Sequence, residues 1–396
     1  MPSTIGLVPW KTAAHPSMSL WSSAKQLARC LFPPVYRNVN QTSHTKRCLV
    51  LYITRPFRET TASTIHQNRW QVRELARIVG EFGYNVDVID WYHSRARLRG
   101  SYELIIDVRP GHNAAYQSHI VEGGIRVGFL TTSNPAVSNR AERDRLDRIA
   151  RSRGMRLKPQ WYMPPFSRQT LESCGAVWLI GNRQTLSTYG EFVLPPVSLV
   201  QNTGYPFLHR TVLSRRSPKS FLFLGSRGQV HKGLDLLLET FAGLPHLKLY
   251  VCGHFAAERD FCEAYRKELF QTANIVPVGF LDITGDRFRS LTAECSYVVM
   301  PSCAEGTSGS VLTGMSAGLI PLVSRECGFD DGDVHHLEEC SLACIRESVE
   351  SFSRKSEDWR RDQSLAAIHT VKAKYSPECY TRCIERGMQA LGAPRT

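Results

Sequence analysis

The stretch from Phe221 to Phe241, FLFLGSRGQVHKGLDLLLETF, restricts the fold more than any other part of the chain, because strand, glycine loop and helix follow one another without a gap. Phe221 to Leu224 is a continuous apolar run, as a strand buried on both faces requires. Leu234, Leu237, Leu238 and Phe241 recur at helical spacing and give the next segment one apolar face. Gly225 and Gly228 permit close backbone approach, and Arg227 and Lys232 bring two cations to a helix N-terminus whose free N–H groups attract anions. The stretch reads as a phosphate cradle or as an ordinary strand-to-helix turn with surface cations. It is not a P-loop: the GxxxxGK[ST] spacing is absent, and Leu234 stands where a magnesium-binding hydroxyl belongs.

The same grammar runs through most of the 396 residues, a length that suits two domains. Strands are expected at Cys48 to Ile53, Val86 to Ile89, Leu104 to Val108, Ile125 to Leu130 and Ala176 to Ile180, with a helix from His66 to Phe82 stopped by Gly83. A second series starts at Phe221 and continues through Leu247 to Cys252, Ile275 to Val278, Tyr297 to Met300 and Ile320 to Val323. Residues 195 to 207, PPVSLVQNTGYPF, combine turn formers with a short strand and read as the connection between them. The expected fold is α/β: two Rossmann-like domains whose parallel sheets face a cleft, covering 48 to 200 and 201 to 375. They are preceded by a basic extension, 1 to 47, and followed by a helix, 376 to 396, that crosses back to the first domain. Strand ends in the first domain present His66, Arg109, His112 and Asn134 as acceptor-side candidates.

Charge is distributed unevenly. Residues 1 to 200 hold 26 Lys and Arg against 13 Asp and Glu, whereas residues 201 to 396 hold 23 of each. An anionic membrane, an acidic or phosphorylated substrate, or nucleic acid would complement such a first half, and a solvated face of arginines explains it equally. No basic helix or aromatic strip accompanies the charge, which argues against nucleic acid. Leu20, Trp21, Ala24, Leu27, Ala28 and Leu31 share one helical face beside Lys25 and Arg29, as a helix lying on a membrane interface would. No apolar run reaches the roughly 20 residues of a membrane span, the start lacks the order of a secretory signal, and none of the 12 cysteines forms a CxxC pair. A cytoplasmic protein is expected, peripheral at the membrane if the first segment binds there, with neither disulfides nor structural zinc.

A second chemistry-bearing stretch follows the fourth strand of the second series, PSCAEGTSGSVLTGMSAG from Pro301 to Gly318. Glu305 and Gly306 close the strand end, and Thr307, Ser308, Gly309 and Ser310 form a small-residue turn before a helix containing Val311, Leu312 and Met315. A carboxylate beside unpaired amides suits a sugar, which needs an acceptor for its hydroxyls and donors for its oxygens. A helix capped by Ser308 or Ser310 is the plain alternative.

Taken in order, these motifs across residues 216 to 345 resemble the nucleotide-sugar-binding domain of the GT-B glycosyltransferases, in particular the large retaining family numbered 4. The resemblance rests on the glycine loop leading to Lys232-Gly233, Val251-Cys252-Gly253, Asn274-Ile275 with Gly279, Pro301-Ser302, Glu305-Gly306 and SVLTGMSAGLIPLVS. It implies sugar transfer from a nucleotide-diphosphate donor to a glycan, lipid or small-molecule acceptor, retaining and without a metal or other cofactor. Arg227 and Lys232 would clamp the diphosphate, Glu305 would hold sugar hydroxyls, and Gly306 to Gly309 would line the sugar and its phosphate. Thr313 stands where the family carries a second glutamate for the ribose, eight residues after the first. Epimerisation or hydrolysis of the same donor, or a non-catalytic scaffold of the same fold, are the competing implications. The Asp331-Gly332-Asp333 run reads as a solvated acidic loop.

Overall fold

A computed structural model describes residues 34–58, 66–93, 96–112, 114–205, 216–393 and 395. The amphipathic segment at Leu20 to Leu31 lies outside the described residues. The chain forms two parallel six-stranded sheets with helices on their faces. In the first sheet the strands are β1 (Lys46–Tyr52), β2 (Tyr84–Asp90), β3 (Tyr102–Asp107), β4 (Ile120–Leu130), β5 (Ala176–Ile180) and β6 (Val197–Val200), in the order β2-β1-β3-β4-β5-β6. The second contains β7 (Ser217–Leu224), β8 (Lys248–Cys252), β9 (Ile275–Gly279), β10 (Cys295–Met300), β11 (Ile320–Val323) and β12 (His335–His336), ordered β12-β11-β10-β7-β8-β9. Each order reverses once, between β1 and β3 in the first sheet and between β7 and β10 in the second. Chain segments diverge from the carboxyl ends of the strands there, and the resulting crevices are where α/β sheets hold ligands.

Two features refine the linear division into domains. Residues 34 to 45 pack along the sheet edge, with Tyr36 donating its N–H to Val88 O at 3.0 Å and accepting from Val88 N at 2.8 Å, so the end of the basic extension is part of the first domain. The short strand expected in the connection is β6, and it joins the first sheet, pairing with β5 from Val177↔Val197 to Ile180↔Val200.

Six helices frame the cleft: α1 (Gln67–Glu81), α2 (Pro135–Arg153), α3 (Leu234–Ala242), α4 (Gly309–Ser316), α5 (Glu357–Lys374) and α6 (Pro377–Ala390). Helix α2 starts where Asn134 Oδ1 accepts the Ala136 N–H and Pro135 occupies the first turn, and it ends at Gly154 in the left-handed region. Although α2 follows β4, its Leu146 and Ile149, with Leu157 beyond it, join the core of the second domain beside Leu234, Leu238 and Phe241. Burying each such side chain is worth about 1.5 to 3 kcal/mol. In the opposite direction, α6 places Tyr380, Ile384 and Met388 in the first domain's core beside Val72, Leu75 and Trp178.

Arginines complete the cross-brace. Arg148 lies 2.8 Å from Asp235 and 2.9 Å from Glu239, and Arg153 lies 2.7 Å from Glu268. Part of the first half's positive excess is therefore matched by carboxylates of the second half. Among the described residues, no helix is long and apolar enough to cross a membrane.

Candidate active site

The reversal of strand order between β7 and β10 determines what meets in the cleft. Past β7 the chain turns through Gly225 and Ser226 to Lys232, and past β10 it reaches Ser302 and Glu305. The Lys232 ammonium and the Glu305 carboxylate form a buried ion pair, with side chains 6% and 11% exposed. Ser302 Oγ donates to the same Glu305 oxygen, Oε1, at 2.8 Å. Both bonds fall on Oε1, which leaves Oε2 for a ligand hydroxyl. Burial alone would raise the Glu305 carboxyl, but the Lys232 charge and the bonds from Lys232 and Ser302 outweigh it and hold the group below its ordinary range.

The neighbouring imidazole supports this pair from beneath. His231 is fully buried, and its Nε2–H donates to Ala304 O at 2.6 Å while Nδ1 faces the Cys303 thiol at 3.5 Å. Burial, reinforced by the Lys232 charge, pushes the imidazole down to about 4, so it is neutral at physiological pH. Gly233 lets this turn sit against β10. It has φ +80°, and a Cβ there would lie 2.3 Å from Pro301 O.

Helix α4 opens into the same space. Ser308 occupies its N-cap position but makes no side-chain cap bond; its hydroxyl points to Met300 Sδ at 3.4 Å. The helix therefore presents its first amides, from Gly309 and Ser310, without a serine cap, beside the Lys232 charge. Thr313 is one turn further along, 5% exposed, and its Oγ1–H donates to Gly309 O at 2.8 Å.

The first domain, together with Asn202 just past the end of β6, closes over this loop through backbone contacts. Ser133 N donates to Glu305 O at 3.1 Å, Asn202 Nδ2 to Thr307 O at 2.6 Å, and Gln67 Nε2 to Gly309 O at 2.9 Å. Gly306 is the point of closest approach: a Cβ there would sit 2.5 Å from Ile180 O and 2.7 Å from Thr131 O, the carboxyl ends of β5 and β4. Only glycine fits between the two sheets. The cleft between them measures about 450 Å³, and Gly225, Lys232, Glu305, Gly306 to Ser310 and Thr313 line one wall. His66 and Arg109 line the other with Trp91 and Trp161.

Several candidates lie elsewhere or have other duties. Arg227 is exposed and does not line the cavity, so among the two cradle cations it is Lys232 that faces Glu305. The Gly228 and Gln229 amides do not face the cavity as a free anion nest. The buried Glu258 carboxylate takes them, at 2.6 and 3.0 Å, and fixes the loop. Asn134 is buried and has no side-chain donor left for a ligand: beyond capping α2, its Nδ2 donates to Thr188 O at 3.0 Å and Glu191 Oε1 at 2.7 Å. His112 is exposed, stacked edge-on against Trp91 at 5.3 Å, and does not line the cavity. His66 does, as the N-cap of α1; desolvation by the cleft walls, with Arg69 and Lys232 nearby, holds its imidazole below the ordinary value.

The Asp-Gly-Asp loop is bound up in ion pairs rather than solvated throughout. Asp333 takes Lys374 at 2.5 Å and the Tyr375 hydroxyl at 2.9 Å, and Asp331 takes Arg325 at 2.9 Å. Among the described residues, no group of three or more His, Cys, Asp or Glu side chains is arranged to hold a metal ion.

Sequence reading missed Gln67, Asn202, Ser133 and Trp161. The first three act on backbone atoms across the domain interface, a pairing that leaves no local pattern. Trp161 stands in a proline-containing loop without periodicity, yet its ring lies 5.2 Å from Lys232 Nζ.

Residues 218–358 match the family described as glycosyl transferases group 1. A search by sequence among curated proteins finds no match. Solved structures share the architecture over nearly the whole chain. Sucrose-phosphate synthase from Thermosynechococcus elongatus superposes with a TM-score of 0.63 at 12% identity, covering 88% of this chain and 100% of that one. HepE from Anabaena, in complex with UDP and glucose, gives 0.55 at 10% identity over 88% and 100%. WaaG, a glycosyltransferase involved in lipopolysaccharide biosynthesis, gives 0.53 at 15% over 86% and 98%. At such identities the superpositions speak for the fold, while the matched segment, which holds Lys232, Glu305 and α4, speaks for the family. Residues 218–358 of the second domain match the group 1 glycosyl transferases, and the chain has the two-domain architecture of the GT-B fold.

Proposed function

We propose that the protein transfers a sugar from a nucleoside-diphosphate donor to an acceptor held by the first domain, with retention of anomeric configuration and without a metal ion. The observation that carries this reading is the Lys232–Glu305 pair, set at the strand-order reversal beside the uncapped start of α4. A diphosphate fits the cation and the α4 amides, which meet the charge that develops as the sugar departs. Glu305 Oε2 takes the hydroxyls of the sugar. Phe280, Leu281 and Ile283, past the end of β9, line the cavity beside Gly253 and form the apolar slot for the base, with the exposed Phe280 ring stacked on His254 at 4.3 Å. HepE was solved with UDP and glucose, which supports the same donor class here. The acceptor, whether glycan, lipid or small molecule, enters along the wall of His66, Trp91 and Arg109. A basic segment before residue 34 suits an acceptor that resides at an anionic membrane.

Thermal shift with UDP-, GDP- and ADP-sugars tests the donor half. A ligand at about 100 times its Kd stabilises by about 2.7 kcal/mol, and one nucleotide class is expected to do so in the presence of EDTA. Proton NMR of the product then reads the anomeric configuration. Stabilisation by none of the three classes favours a non-catalytic scaffold. Donor turnover at the same rate with and without acceptor favours hydrolysis or epimerisation.

A further inference from the structure

Between the end of β10 at Met300 and the start of α4 at Gly309 the chain forms no strand or helix. Such a segment has no ladder to fix its peptide planes, so their directions are set by whatever takes each N–H and C=O. A trans peptide points the C=O of one residue and the N–H of the next in opposite directions. Whatever holds the carbonyls of Glu305, Thr307 and Gly309 therefore aims the amides of Gly306, Ser308 and Ser310.

Each of these three carbonyls is held from across the cleft. Ser133 donates both its N–H, at 3.1 Å, and its hydroxyl to Glu305 O. Asn202 Nδ2 donates to Thr307 O at 2.6 Å, and Gln67 Nε2 to Gly309 O at 2.9 Å. The second domain grips the Thr307–Ser308 peptide at its other end, where Ser308 N donates to Cys327 O at 2.9 Å. The plane of that peptide is fixed twice, once from each side.

Behind these contacts stands a relay on α1. Gln67 and Gln71 are four residues apart on one face of the helix, and both are buried, at 8% and 2% exposure. Gln71 Nε2 donates to Asn202 Oδ1 at 2.8 Å, and the Thr203 N–H donates to the same oxygen at 2.8 Å. Two donors on Oδ1 leave the Asn202 amide one orientation, with Nδ2 as the end that meets Thr307 O. Tyr380 of α6 in turn donates its hydroxyl to Gln71 O at 3.3 Å, which seats α1 against the returning helix.

The donors of Gln67 and Asn202 that face the loop are spent on its carbonyls, so their effect on a diphosphate passes through the amides they aim. Amides aimed in advance stabilise a developing anion without reorganising. We infer that Gln67, Gln71 and Asn202, with Ser133, are positioning residues for the donor. They hold the peptide units from Glu305 to Ser310 at the angle that receives the sugar and its diphosphate, so donor affinity depends on side chains across the cleft from the donor's own wall. This rests on the transferase reading above and deepens it by assigning the residues that shape the donor loop.

The test uses the full chain and whichever of UDP, GDP and ADP raises its melting temperature. Calorimetry gives the affinity for that diphosphate, and an NMR titration gives the affinity for its nucleoside, which fills the base slot without reaching the loop. Gln67→Leu and Asn202→Leu should each weaken the diphosphate about three- to tenfold, the share of one hydrogen bond, and leave the nucleoside unchanged. Gln71→Leu should weaken the diphosphate about as much as Asn202→Leu. The double variant should bind no more weakly than Asn202→Leu alone, because Gln71 acts through Asn202. Circular dichroism reports folding, and where a leucine variant is unfolded the alanine variant carries the same expectation. Unchanged diphosphate affinity in folded Gln67→Leu and Asn202→Leu, an equal loss for the nucleoside, or additive losses in the double variant overturn the inference and leave the donor reading standing. Failure of the wild-type chain to bind any of the three nucleotides strikes that reading instead.

Discussion

The wall of the cleft proposed to face the donor carries its chemistry on two contiguous stretches, Gly225 to Lys232 and Ser302 to Thr313, whereas the opposing wall gathers Gln67, Trp91, Arg109, Trp161 and Asn202 from separate segments. On the proposed reading, the difference follows from what each wall binds with. Holding a diphosphate requires backbone amides at a helix start and a glycine where strands converge, and those are properties of local sequence. The opposing wall works through side chains placed by tertiary packing, so its residues are free to come from anywhere the fold brings together. A further contrast is charge: the donor wall pairs its buried cation with Glu305, while the opposing wall keeps Arg109 without a carboxylate.

The strongest way to break this contrast is to remove the cation of the donor wall. Lys232→Ala should lower transfer on the order of a hundred- to a thousand-fold, as loss of one preorganised donor to a developing anion does. It also strands Glu305, at about 3 to 5 kcal/mol for breaking a buried pair. The pH dependence has a definite sign. The wild-type Glu305 carboxyl lies below its ordinary value, so its contribution to stability is present above the unfolded-state pKa and fades as pH falls through the lower folded one. Without Lys232, burial is opposed mainly by the Ser302 bond; the carboxyl should rise, and the variant should lose stability as pH rises. Melting curves of the two proteins should lie furthest apart near pH 7 and converge toward about pH 4. A gap that stays constant over this range would show that the Lys232 charge does not govern Glu305.

Next in size is the brace between the walls. Arg148→Ala removes the partner of Asp235, a fully buried carboxylate whose Oδ1 already lacks a hydrogen bond, and should cost about 3 kcal/mol in urea unfolding. Gly306→Ala acts at the contact itself. Its Cβ would meet two backbone carbonyls that belong to the other domain, so relief requires the sheets to part, at about 1 to 3 kcal/mol. Small-angle scattering should then report a larger radius of gyration, and unchanged dimensions with unchanged melting would mean that the interface gives way freely.

These interface residues also mark the limit of what local sequence reveals. The buried runs of the strands were legible as apolar runs bounded by glycine and helix-period segments, whereas the half-exposed start of β4 at Ile120, with two glycines before Ile125, was not. Glu305 and Lys232 were legible too, each lying just past a strand end beside a helix start. The crossing of α2 into the second domain was not. Leu146 and Ile149 show a helical face in the sequence, but nothing in that face says which sheet it covers. The same blindness affects the glycine loop: Gly228 looks like a phosphate cradle until Glu258, thirty residues further on, is found to hold its amide. A carboxylate and a phosphate ask the same thing of a backbone nest, and only the folded chain decides between them.

Thr313 gives the smallest expected effect and the sharpest reading of the donor wall. Its hydroxyl hydrogen is committed to Gly309 O, four residues back on the same helix, so toward a ligand it can accept but not donate. A ribose presents two neighbouring hydroxyls, and one oxygen that already serves its own helix takes at most one of them. Thr313→Ala should therefore change nucleotide affinity by no more than about threefold, roughly 0.6 kcal/mol, and stability by less than about 1 kcal/mol. Thr313→Glu offers two oxygens at a position that lines the cavity, and tighter nucleotide binding in that variant would show that the ribose lies along α4. If Thr313→Ala instead costs tenfold or more, the hydroxyl is bonded to the ribose more strongly than to its helix, and the donor wall relies on this threonine where a carboxylate would serve.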